Sequence, residues 1–121
     1  MPEGLLTEAE LELMRHLWSA GPLTAREVMG RLPDDRAYTT VATILRILVD
    51  KGFATAARDG RAYRFAPAVG RSEYQLRQLR HVVSGLFDGS PVSLVRQLVA
   101  HEDLSDDDVA ALKELVEELD E

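Results

Sequence analysis

The stretch TTVATILRILVDKGFATAARDGRAYRF, Thr39 to Phe65, decides the fold. On a helical wheel at about 100° per residue, Val41, Ile44, Leu45 and Leu48 share one sector. Thr39, Thr40, Thr43, Arg46, Ile47 and Asp50 fall on the opposite side. Gly52 supplies the left-handed residue that ends such a helix. Two strand-like runs follow, Phe53–Ala57 and Arg61–Phe65, hinged on Asp59-Gly60, a dipeptide suited to a tight turn that needs positive φ. A helix with one buried side and hydroxyls and a guanidinium on the other, next to a basic hairpin, is the layout of a winged helix-turn-helix.

Upstream, two helix starts carry one signature. Thr7 precedes Glu10 by three residues with Leu6 and Leu11 around them, and Thr24 precedes Glu27 with Leu23 and Val28. Each reads as a capping box with a hydrophobic staple. The first helix is expected to reach about Ser19, burying Leu11, Met14, Leu17 and Trp18, and to stop at Gly21-Pro22. The second is expected over Ala25–Leu32, stopped by Pro33. Three short helices and a two-stranded wing make one domain over residues 1–68.

Downstream, Pro67-Ala-Val-Gly-Arg71 forms a break, and residues 69–121 read as a helical dimerisation domain. Ser72 with Gln75 opens a helix carrying Leu76, Leu79, Val83 and Leu86. Phe87-Asp-Gly-Ser-Pro91 interrupts it, and a helix over about Val92–Ala100 presents Leu94, Val95, Leu98 and Val99. Ser105 caps a last helix, with Asp106, Asp107 and Asp108 at its positive end and Val109, Leu112, Val116 and Leu119 along one side. So short a segment cannot bury three apolar faces by itself. Their heptad-like spacing favours intertwining with a second copy, hence a homodimer. The fold class is mainly α with a small β-hairpin wing: an N-terminal winged helix-turn-helix plus a C-terminal three-helix dimerisation region.

The 121 residues carry 14 Lys/Arg and 21 Asp/Glu, a net charge of -7 that looks wrong for a partner of nucleic acid. Its distribution removes the objection. Residues 1–70 hold nine bases and nine acids, so the whole excess lies in residues 71–121. Within residues 36–67, six bases (Arg36, Arg46, Lys51, Arg58, Arg61, Arg64) face two acids, Asp50 and Asp59. The positive field belongs to the reading region. With no cysteine, disulfides and thiolate chemistry are excluded. No apolar run approaches the roughly 18 residues of a membrane span. Glu3, Glu8 and Glu10 stand where a leader would be basic and apolar. The expectation is a cytoplasmic chain without membrane insertion.

A reading helix needs short hydrogen-bonding groups on its first turns, where base edges come closest. Thr39, Thr40 and Thr43 offer a hydroxyl each and a methyl for thymine; Arg46 reaches a base or phosphate one turn on. Tyr38, just before the helix, donates to a phosphate. Arg58, Arg61 and Arg64 on the wing meet backbone, or a minor groove if Arg61 is near the tip. The expected partner is double-stranded operator DNA. The competing reading is a winged-helix protein-interaction module without specific DNA binding, whose outer face, including Ile47, docks on a partner.

These residues resemble the penicillinase-repressor family, the BlaI, MecI and CopY-like winged-helix regulators. The resemblance rests on Leu6-Thr-Glu-Ala-Glu10 with Leu17-Trp18, Leu23-Thr24-Ala-Arg-Glu27-Val28, and Tyr38-Thr-Thr-Val41 with Thr43-Ile-Leu45. It continues through Lys51-Gly52-Phe53, Arg61-Ala-Tyr63, Leu86-Phe87-Asp88-Gly89-Ser90 and Glu102-Asp-Leu-Ser105, in collinear order over nearly the whole chain. It implies a homodimeric repressor on palindromic operators, with TACA/TGTA half-sites contacted by Thr40 and Thr43. It also implies control of β-lactam-resistance or related genes, and relief of repression by a membrane-bound sensor protease that cuts near the dimer helices. Three departures stand out. Many members have arginine where this chain has Ile47. The best-known cleavage dipeptide, Asn-Phe, falls at Gln97-Leu98. The copper-responsive branch uses cysteines, which this chain lacks.

No enzyme is expected. There is no Gly-rich phosphate loop, and no nucleophile sits in a strand-turn-helix frame. His16 lacks a ligand partner at helical spacing, and His101-Glu102-Asp103 are neighbours in a loop that rarely converge on one metal. Catalytic residues, metal sites and cofactors are therefore all read as none.

Overall fold

The computed structural model describes residues 5–120; residues 1–4, with Glu3, and residue 121 lie outside the description. Helix α1 spans Glu8–Ala20. Thr7 Oγ1 accepts from the Glu10 amide at 3.2 Å and Glu10 Oε1 accepts from the Thr7 amide at 3.0 Å, a reciprocal cap. The buried face is Glu10, Leu13, Met14 and Leu17, with Leu11 and Trp18 only half-buried. Of the expected set, Met14 and Leu17 are core and Leu11 and Trp18 pack at its edge, while Glu10 and Leu13 join the buried face. Trp18 keeps its indole at the boundary because its Nε1 donates to the Val69 carbonyl at 2.8 Å. Gly21 follows where a Cβ would lie 2.6 Å from the Leu17 carbonyl oxygen, so only glycine fits without a shift.

A two-residue strand β1, Leu23–Thr24, leads directly into α2, Ala25–Arg31. The Thr24–Glu27 capping box is present, and Leu32 rather than a further turn ends the helix. Helix α3 spans Tyr38–Asp50, so Tyr38 is its first residue instead of its neighbour, and Ala37 caps it without a side-chain bond. Val41, Leu45 and Leu48 are fully buried. At its end Gly52 has φ 86°, the Gly52 amide donates to Val49 and the Phe53 amide to Leu48. This paired pattern satisfies the orphan carbonyls of the last turn.

The wing is β2, Ala54–Asp59, and β3, Ala62–Pro67, antiparallel, with β1 on the far side of β3. The last cross-strand pair is Asp59 with Ala62, so the turn is Gly60-Arg61, one residue later than the expected hinge. Gly60 alone in the turn has positive φ, 64°, the glycine-first pattern of a type II′ hairpin. Phe53 lies outside the strand and is 1% exposed in the core. The strand β1 escapes alternation analysis because two residues carry no period.

The N-terminal unit extends through Gln78, ten residues past the expected boundary at 68. Val69 and Tyr74 are buried within it; Tyr74 Oη accepts from the Leu6 amide at 2.9 Å, and its ring meets Trp18 and, edge-on, Phe53. Helix α4, Arg71–Leu86, runs across the division into a second unit that holds α5, Pro91–His101, and α6, Asp106–Leu119. Pro91 opens α5, where a missing N–H costs nothing, with Ser90 as its cap. Ser105 and Asp108 form the capping box of α6. Among the described residues of this second unit none is buried.

Candidate nucleic-acid interface

The outer side of α3 is open to solvent. Thr39, Thr40, Thr43, Arg46 and Ile47 are all exposed. The neighbours of α3 sort them into two flanks. Arg46 lies with Ala42 and Val49 on the flank that meets the wing. Thr40 lies with Ile44 on the other flank, beside Glu12, Arg15 and Arg36 of the N-terminal elements. Between these flanks helical spacing leaves Thr39, Thr43 and Asp50 as the central line, with Ile47 toward the Thr40 edge.

Between the start of α2, α3 and the wing runs an open groove of about 820 Å³. Arg26, Tyr38, Arg46, Arg61, Tyr63 and Phe65 are among its walls. The Arg26 guanidinium lies 4.9 Å above the Tyr38 ring, and that of Arg58 lies 5.9 Å from the Tyr63 ring. Such stacking holds a cation against an exposed aromatic without neutralising it. Arg61 sits in the turn, at the wing tip.

The six bases counted in the sequence do not all contribute to the field. Arg36 is bound by Glu12 at 2.6 Å and Asp34 at 2.8 Å. Lys51 Nζ donates to both oxygens of Glu10, at 2.8 and 2.9 Å. Arg64 donates to Asp59 at 2.6 Å and to Glu27 at 2.9 Å. Arg64 therefore ties the wing to the α2 cap, and the backbone contact expected of it has to compete with two carboxylates. Around the groove, Arg26, Arg46, Arg58 and Arg61 have no carboxylate partner among the described residues, and Arg15, beside the Thr40 flank, is likewise without one. Sequence reasoning missed Arg26, which stands upstream of the basic stretch that begins at Arg36. Its pairing with an aromatic ring 12 positions away leaves no local pattern to find it by.

The ion pairs move the acids in one direction. Burial pushes the Glu10 carboxyl up, but the hydrogen bonds from Lys51 and the Thr7 amide outweigh it and hold the group below its ordinary value. The Arg36 hydrogen bonds hold Glu12 below its ordinary value, and the Thr24 amide with Arg64 does the same for Glu27. Arg36 and Arg64 are raised in turn. All are charged near neutrality, and the pairs of Arg36 and Arg64 are partly exposed ion pairs between neighbouring elements. Among the described residues no group of three His, Asp or Glu side chains is placed to share a metal ion, and no helix is long and apolar enough to cross a membrane.

The sequence profile described as "Penicillinase repressor" matches residues 6–118. The chain belongs to that family. It is 24% identical over 115 residues to the penicillinase repressor of Bacillus licheniformis, covering 93% of this chain and 90% of that protein. To the transcriptional regulator BlaI of Mycobacterium tuberculosis it is 45% identical over 71 residues, 56% of this chain and 51% of that regulator. Among solved structures it resembles the monomeric form of Bacillus licheniformis BlaI in complex with the blaP half-operator. That match has a TM-score of 0.50 and 27% identity, covering 59% of this chain and 89% of that one. These relatives are transcriptional regulators, not enzymes.

Proposed function

We propose that this protein is a dimeric transcriptional repressor that binds palindromic operator DNA, with α3 in the major groove. One observation carries the reading: the outer line of α3 presents Thr39, Thr43 and Arg46 to solvent beside a groove of carboxylate-free arginines. Short hydroxyl side chains near the start of a reading helix reach base edges, while guanidinium groups on its flank hold the backbone. The half-operator complex of the related BlaI domain supports the same use of this unit. Thr40, on the α1-side flank, meets the adjacent backbone or an outer base.

Dimerisation is supported by the second unit. Leu79, Leu86, Val95, Leu98, Val116 and Leu119 are exposed in the single chain, and Leu112 is at the edge of exposure. Leu76 and Val109 continue the stripes, with Val83 half-buried. Helices with capped ends and no core of their own need a partner for their apolar sides. A second copy supplies matching stripes and places two reading helices on one palindrome. A sensor protease that cuts among these helices would release DNA by undoing the pairing, and the regulated genes would include resistance to β-lactams.

The direct test is competition between duplexes. Sequences selected from a random pool by the full chain should share a palindrome, bound about 10³-fold or more over random DNA. Thr43→Ala should cost about 1–3 kcal/mol on the selected site and relax preference at one base per half-site. Equal binding to selected and random duplexes would overturn the reading.

A further inference from the structure

The winged-helix unit grips the start of the helix that leaves it. Helix α4 begins at Arg71, and the unit extends to Gln78, so the first two turns of α4 belong to the unit. Just ahead of them the Ala68 amide donates to the Phe53 carbonyl at 2.8 Å. Val69 is buried, and its carbonyl accepts from Trp18 Nε1 at 2.8 Å. Tyr74, also buried, completes the grip. Its ring centroid lies 5.9 Å from that of Trp18 and 5.7 Å from that of Phe53, and its Oη accepts from the Leu6 amide at 2.9 Å. Phe53 in turn closes the reading helix, where its amide donates to the Leu48 carbonyl at 2.9 Å. One side chain of α4 thus meets α1, the segment ahead of α1 and the residue that ends α3.

A ring packed against two others and hydrogen-bonded at its tip has one way to sit, which fixes the direction and rotation of the helix that carries it. From Tyr74 the chain stays helical to Leu86, with no proline and no glycine before Gly85. At about 1.5 Å per residue this is a lever of about 18 Å, so a tilt of about 10° at Tyr74 carries its far end about 3 Å. One base pair of duplex is about 3.4 Å of length and about 35° of turn. We propose that Tyr74 is a positioning residue that sets which spacing of half-sites the paired chains accept, acting through α4 and touching no DNA. This role rests on the dimeric operator-binding reading above and places a determinant of specificity outside the reading face.

The test is an anisotropy titration of the full chain. The duplexes are the selected palindrome, the same palindrome re-spaced by one and two base pairs in each direction, and a single half-site. Wild type should lose at least about tenfold at one base pair off, a part of the roughly 10²–10⁴ that linkage contributes. Tyr74→Leu removes both ring contacts and the bond to Leu6. It should bind the re-spaced series within about threefold of one another, with half-site affinity within about twofold of wild type. Tyr74→Phe loses only the bond to Leu6 and should relax the profile in part. Two glycines inserted between Gln78 and Leu79 interrupt α4 beyond the grip, leave Tyr74 seated, and should flatten the profile as Tyr74→Leu does. A purely structural loss would weaken binding to every duplex alike, half-site included, and leave the shape of the profile unchanged.

A profile as sharp as wild type in the Tyr74 variants that fold would overturn the proposal, as would a sharp profile after the glycine insertion. So would a wild type that prefers the palindrome but accepts every spacing alike. A wild type that prefers no palindrome to random duplex would instead overturn the dimeric operator reading, and this role with it.

Discussion

Lys51→Met leaves Glu10, the most deeply placed charge among the described residues, without its cation. The Glu10 side chain is 6% exposed and that of Lys51 38%, with Nζ 2.8 Å from Oε1. Removing one partner of a fully buried pair costs about 3–5 kcal/mol, because the other charge is left uncompensated. Here the lysine side is open, so water can enter and solvate the carboxylate in part, and the Thr7 amide still donates to it. The expected loss is about 2 kcal/mol near neutral pH, below the range for a closed site. With a urea dependence of about 1–3 kcal/mol/M, the midpoint should fall by roughly 1 M. Trp18, the single tryptophan, packs on Tyr74 and reports the transition by its fluorescence.

The pH dependence separates this mechanism from lost packing. In the native protein the Glu10 carboxyl is held below its ordinary value. The stability it contributes is present in full above the unfolded carboxylate pKa of about 4.3 and is lost as pH falls through the folded value. Without Lys51, the burial that raises the carboxyl loses its largest counterweight, so acid harms the variant less than it harms the wild type. The gap between the two should shrink as pH falls through the carboxylate range, at one fixed chain concentration. A gap of the same size at neutral and acid pH would refute the reasoning, as would no midpoint change at all.

Other substitutions probe the remaining struts. Tyr74→Phe keeps the ring contacts with Trp18 and Phe53 but leaves the buried Leu6 amide without its acceptor. It should cost about 1–3 kcal/mol in urea unfolding. Arg61→Ala and Arg64→Ala should part company: the first lowers the salt slope of DNA binding by about 0.9 per half-site with little change in melting temperature. The second lowers the melting temperature and hydrogen-exchange protection of the wing more than the slope, because Glu27 and Asp59 already hold its guanidinium. Leu98→Asp should weaken self-association in sedimentation while leaving the melting of the N-terminal unit unchanged, since Leu98 is 48% exposed in the single chain.

What the sequence conveys and what it hides divide along physical lines. The capped helix starts at Thr7, Thr24 and Ser105, the end of α3 at Gly52 and the outer face of α3 were legible, because each depends on residues within one or two turns. The buried face of α1 was legible only in part, at Met14 and Leu17. Glu10 reads as a solvent-facing charge until Lys51, 41 positions away, is brought against it. The polar atom of Trp18 draws that ring to the boundary by a bond across 51 positions. The same limit applies to the site. Counting bases cannot reveal that Arg36, Lys51 and Arg64 are bound by acids, or that Arg26 stacks on Tyr38. Nor does the helix pattern at Ser72 show that Tyr74 belongs to the winged-helix core.

The central claim is that two copies act together on one operator, and stoichiometry tests it most directly. Sedimentation of the full chain with a selected palindrome, and with the same duplex cut to one half-site, gives the number of chains on each. Two chains are expected on the palindrome, with half-site centres about 10 base pairs or a multiple apart, and far weaker binding to the half-site. One chain per duplex, with equal affinity for whole and half, would contradict the claim.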